Sequence, residues 1–147
     1  MRFLFSIALA ALVACQPSAS AAPEGAVILW LPDGSVRIAT MFHAGIEDGE
    51  RREWFADGTP KASGLVVRGE RCGVWSNWHR NGRLRATTQF VHDVEEGIRR
   101  EYFEDGSKRS RAQIVNGLQH GRRILWDRRG RVLSDALFVR GVEVVRR

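Results

Sequence analysis

Cysteine is nearly missing from this chain of 147 residues, which has only Cys15 and Cys72. No disulfide framework can be built from that pair, and Cys72, beside Gly73 at a turn with no partner and no histidine nearby in sequence, reads as incidental. Lysine is almost as scarce, since 21 of the 23 basic residues are arginine. The four histidines, His43, His79, His92 and His120, fall at four different places in the pattern described below. No face gathers them, and no cysteine or carboxylate stands at a ligand spacing, so no metal is expected. A Gly-x-Ser-x-Gly elbow, a phosphate loop and a repeated carboxylate pair for acid-base work are likewise missing. The expectation is a non-catalytic protein with no cofactor. Nothing reads as a helix, and the one long apolar run, Phe3 to Ala14, is too short to span a membrane.

That run follows Met1-Arg2 and ends in Leu12-Val13-Ala14-Cys15, a charged start and a short apolar stretch that mark residues 1–14 as a signal peptide. The end resembles a bacterial lipobox, which implies cleavage before Cys15 and acylation of its thiol, palmitate-type chains included. Several buried acyl chains would anchor the protein stably to a membrane. An ordinary secretory leader cut at Ala19-Ser20-Ala21 is the alternative; both readings export the protein. Gln16, not Asp, follows the cysteine, which implies the outer membrane facing the periplasm if the host is Gram-negative. Residues 15–25, rich in Ser, Ala and Pro, read as a flexible tether, leaving 26–147 as one domain.

The domain repeats every 24 residues. Trp30, Trp54, Trp78, Tyr102 and Trp126 form one column, and Gly34, Gly58, Gly82, Gly106 and Gly130 another four residues on. A second glycine column runs Gly45, Gly69, Asp93, Gly117 and Gly141, with Asp93 the exception; a third runs Gly49, Gly73, Gly97 and Gly121. Such self-similarity marks stacked supersecondary units. Asp-Gly, Asn-Gly or Arg-Gly at the first column supplies the positive φ of a tight turn, so each unit is a β-hairpin of strand A, turn and strand B. Two strands of about eight residues per unit predict a ten-stranded antiparallel meander roughly 48 Å across at about 4.8 Å per strand.

Two turn registers are open. A two-residue loop sets Glu53 against Ala62, and a three-residue loop ending in a left-handed glycine sets Glu53 against Lys61 and Trp54 against Pro60. The second also opposes Glu101 to Arg109, Asp127 to Arg131, Arg123 to Asp135 and Leu125 to Leu133, and is preferred for those pairs. Alternation then predicts an apolar face holding the tryptophan column together with Val36, Pro60, Leu84, Ala62, Ala86, Phe42, Val66, Phe90, Ile114 and Phe138. The opposite face would carry Arg51, Lys61, Arg85, Arg99, Arg109 and Arg123.

The spacing of Trp78-x3-Gly82 with Gly97, and of Tyr102-x3-Gly106 with Gly117 and Gly121, resembles the bacterial variant of the MORN repeat over nearly the whole exported chain. The resemblance implies an all-β, elongated, curved sheet of about five hairpins, used as a scaffold for protein or lipid contact. Some bacterial members are described as antitoxins, an alternative that the leader disfavours. The expected function is therefore a cell-envelope lipoprotein whose repeat sheet binds an envelope protein, with Trp30, Trp54, Trp78, Tyr102 and Trp126 as the candidate aromatic site. The alternative is an anionic lipid or polysaccharide held by the arginine rows, the formal net charge being +6. An exported protein seldom meets nucleic acid, so none is expected as a partner.

Overall fold

A computed structural model describes residues 24–144. The leader, Cys15 and nearly all of the tether lie outside the described residues. Thirteen strands and no helix make up the rest: β1 (Gly25–Trp30), β2 (Val36–His43), β3 (Ile46–Glu47), β4 (Gly49–Trp54), β5 (Pro60–Val67), β6 (Glu70–Trp78), β7 (Leu84–Val91), β8 (Val94–Glu95), β9 (Gly97–Tyr102), β10 (Lys108–Val115), β11 (Leu118–Trp126), β12 (Val132–Val139) and β13 (Val142–Val144). They form one antiparallel meander that does not close, in the order β1-β2-β4-β5-β6-β7-β9-β10-β11-β12-β13, with β3 and β8 paired beside β2 and β7.

Two departures from ten equal strands have simple causes. The turn at Arg140-Gly141 is followed by β13, which pairs with β12 in the place of a further strand A. Strand A of the second and fourth units is cut at Asp48 and Glu96, next to the third glycine column, giving β3 with β4 and β8 with β9. In β6 and β11 the same place is a register shift: three steps along β5, Ala62 to Leu65, face five along β6, Asn77 to Cys72. A shift of two leaves the faces unchanged. Gly25 already pairs with Phe42, and the Glu24 carboxylate just before it accepts the Ala44 N–H at 2.6 Å.

Each first-column turn is a three-residue loop. Phe55 N–H donates to Thr59 O at 2.8 Å, Gly58 N–H to Phe55 O at 3.0 Å, and Gly58 has φ +82°. The Asp57 carboxylate accepts the Thr59 N–H at 2.9 Å, which explains Asp or Asn before the glycine. The second-column turns have two central residues, both at positive φ, as in Arg68 (51°) and Gly69 (84°). Asp93 keeps that geometry at φ 63° without being glycine. These turns stack: Gly69 N–H donates to Glu47 O at 2.7 Å, Gly117 to Glu95 O at 2.9 Å and Gly141 to Gln119 O at 2.8 Å. Every unit thus borrows backbone hydrogen bonds from the one before it.

The expected register holds only at the turn. Trp54 faces Pro60, but one residue further Glu53 faces Ala62, not Lys61. Lys61 is extra, and a one-residue bulge of this kind recurs beside Trp30, Trp78, Tyr102 and Trp126. It exchanges the faces beyond it. Glu53, Arg51 and Gly49 therefore share a face with Ala62, Gly64 and Val66, while Trp54 turns to the other. The buried residues all lie on the first, the core face: Thr40, Ala62, Val66, Trp75, Ala86, Thr88, Phe90, Ser110, Ala112, Ile114 and Phe138. Each large apolar side chain buried there contributes about 1.5 to 3 kcal/mol.

Candidate functional site

On the core face the expected separation of apolar from basic side chains fails. Arg51 lies directly opposite Gly64, Arg99 opposite Ala112 and Arg123 opposite Ala136. Lys61, the bulged residue, turns to the same side and places Nζ 3.0 Å from Glu53. Arg85 lines the same groove as Trp75, and the Arg109 guanidinium stands 5.9 Å from the Phe103 ring. Arg51, Arg85, Arg99 and Arg123 are therefore interleaved with the core instead of forming a separate basic face.

Two of the core-face arginines, Arg51 and Arg99, are each held by two carboxylates of their own repeat unit. Arg51 reaches Glu47 at 3.2 Å and Glu53 at 2.8 Å, and Thr40 donates its hydroxyl to Glu47. Forty-eight residues on, Arg99 reaches Glu95 at 3.5 Å and Glu101 at 2.8 Å, and the Ser110 hydroxyl donates to Glu101 at 2.9 Å. Burial by itself pushes the Glu53 and Glu101 carboxyls up. Hydrogen bonds outweigh it, from Lys61 and Arg51 in one case and Ser110 and Arg99 in the other, so both sit below the usual carboxylate range. Such groups stay ionised and are poorly suited to deliver a proton near neutral pH.

Between these two ion-pair clusters the third unit breaks the pattern. Trp75 and Asn77 occupy the places of Arg51 and Glu53. Trp75 is 6% exposed, donates its indole N–H to Leu65 O at 3.1 Å and meets Phe90 edge-on with centroids 6.4 Å apart. Gly64 makes room, since a Cβ there would collide with the indole. Arg71 lies 4.0 Å over the Phe90 ring and also binds Asp93 at 2.7 Å. Together these groups line a groove of about 570 Å³, with Trp75, Phe90, Ala86 and Thr88 below and Arg51 and Arg99 at its sides. Trp75 is absent from the candidates read from the sequence, although a tryptophan in an arginine column is a visible signal.

The other side is a tryptophan face. Trp30, Trp54, Trp78, Tyr102 and Trp126 each oppose the residue two beyond the turn glycine, as expected. They are half-buried or, for Trp30, 60% exposed, and so are not the packing spine. Trp54 and Trp78 bound one groove of about 360 Å³ with Pro60 and Arg52. Tyr102 and Trp126 bound a second of about 310 Å³ with Ile124 and Arg111. Beyond them the face presents Leu65, Val91 and Leu137, all exposed. Among the described residues no helix or second sheet lies over either face, no three His, Cys, Asp or Glu side chains gather as metal ligands, and no helix is long and apolar enough to cross a membrane. The chain matches no protein-family model, and no curated protein matches it.

Proposed function

We propose that this chain is a non-catalytic scaffold of the MORN type, exported and anchored to the cell envelope through Cys15, which holds a protein partner on the tryptophan face of its sheet. One observation carries the reading: the sheet offers two aromatic grooves and a field of exposed apolar side chains on that face, among them Leu65 and Val91 at 46% and Leu137 at 39% exposure, with nothing over them among the described residues. Exposed apolar patches of that kind mark contact surfaces. The rival ligand, an anionic lipid or polysaccharide, is less well supported, because Arg51 and Arg99 are committed to glutamates on the opposite face.

Crosslinking in intact cells, followed by identification of the captured protein, provides the test. The same partner should be recovered in about 1 M salt, where the Debye length is about 3 Å. It should be lost from a Trp54→Ala, Trp78→Ala double variant that still folds. Loss of capture in salt with no effect of the double variant would replace the protein partner by an anionic ligand. Retention of membrane label by a Cys15→Ala chain fed labelled fatty acid would remove the anchor.

A further inference from the structure

An open sheet has two edges, and those of this one are unlike. The edge strand β13 carries a carboxylate, Glu143, and the sequence goes on to Arg146 and Arg147. Charge is a usual means by which an edge is kept from pairing. The other edge strand, β1, has six residues, Gly-Ala-Val-Ile-Leu-Trp, and is the one strand of the thirteen with no charged residue. Every interior strand carries a charge it does not need for that purpose, while the edge that needs one has none. Ile28, Leu29 and Trp30 are 39%, 51% and 60% exposed.

We propose that β1 pairs with β1 of a second copy of this chain, antiparallel across a two-fold axis, and so joins two sheets into one. The rest of the chain leaves few candidates to cover this edge. Residues 16–23 include Pro17 and Pro23, neither of which can donate a backbone N–H to β1. β13, the last described strand, stands at the opposite end of the sheet, ten strand spacings or about 48 Å along it. A second copy offers an identical, uncharged strand, and its symmetry closes the assembly at two. A two-fold axis normal to the sheet keeps each face on its own side. Centring the pair on Ile28 sets Val27 against Leu29 of the second copy on the core face, and Ala26 against Trp30 on the tryptophan face. Apolar side chains then meet apolar side chains throughout, with no charge buried. The charged β13 edges are left facing outward.

Oxidative crosslinking in intact cells tests this with the full-length chain carrying Cys72→Ser. Ile28→Cys should give a reducible product of twice the chain mass, and Val142→Cys, at the other edge, should not. Equal yields from the two, or no product from either, would overturn the proposal. So would a reducible link within one chain through Cys15, which would show that the N-terminal segment covers the edge. The purified full-length chain in detergent gives a second, independent readout. It should sediment as a dimer, become a monomer on Ile28→Lys with an unchanged circular dichroism spectrum, and stay a dimer on Val142→Lys. A monomeric unsubstituted chain contradicts the proposal whatever the variants do.

Discussion

Gly64 has no room for a side chain because the Trp75 indole lies where a Cβ would stand, and the two must change together. Gly64→Ala drives a methyl into the indole, and overpacking of that kind costs about 1 to 3 kcal/mol. Trp75→Ala empties the centre of the core and should cost about 3 to 5 kcal/mol, more than Trp78→Ala on the other face. Chemical denaturation of the three variants checks the order. Glu53 gives a pH signature instead. Its folded-state pKa lies below the ordinary carboxylate value, so its contribution is full above that value and is lost as pH falls through the lowered one. The stability gap between the unsubstituted chain and Glu53→Gln should be widest near pH 7 and shrink below about pH 4. A gap constant across that range would mean that the Lys61 and Arg51 contacts do not form. Only part of this was legible in the sequence. The columns of small residues and of Phe42, Val66, Phe90, Ile114 and Phe138 were visible as a core, whereas Trp75 stood out only as a departure from an arginine column, which marks the position without saying which face the indole takes.

Strand order, hairpin topology and turn type follow from the 24-residue period, because a glycine with its Asp or Asn states the turn chemistry outright. Asp93 shows how far that chemistry can stretch. It holds φ 63° while its carboxylate accepts the Arg71 N–H at 3.1 Å and Nε–H at 2.7 Å, contacts a glycine would lack. Asp93→Ala should therefore lower the denaturation midpoint further than Asp93→Gly, since alanine keeps the left-handed strain and loses the carboxylate. An Ala variant as stable as the Gly variant would show that the turn opens. The bulge was illegible for a physical reason. Lys61 and Arg109 look like well-placed partners for a glutamate across the hairpin, and the Lys61 to Glu53 contact does form, but through an extra residue and not through register. A charge pair cannot distinguish those two geometries, and the choice between them inverts the faces of every strand. Within the sheet, the amides of β6 and β7, flanking the Val66, Trp75 and Phe90 cluster, should exchange slowest and those of β13 fastest in hydrogen exchange.

At the scale of the whole molecule, one bulge per hairpin decides what the protein shows to its surroundings. With the bulge, the small residues, the phenylalanines and the paired arginines close into one core face, and the four tryptophans of the repeat column turn outward with Tyr102. Without it, those tryptophans would be buried, the arginines would stand free, and an anionic ligand would be the natural partner. Scaffold and lipid binder are thus separated by which face the indoles occupy. Hydroxyl-radical footprinting of the full-length chain, read by mass spectrometry at each of its five tryptophans, measures that on one sample. The expected result is rapid oxidation at Trp30, slower oxidation at Trp54, Trp78 and Trp126, and protection at Trp75 alone, the ring that is 6% exposed. Protection of Trp54, Trp78 and Trp126 together with rapid oxidation of Trp75 would contradict the face assignment and the protein-partner reading that rests on it.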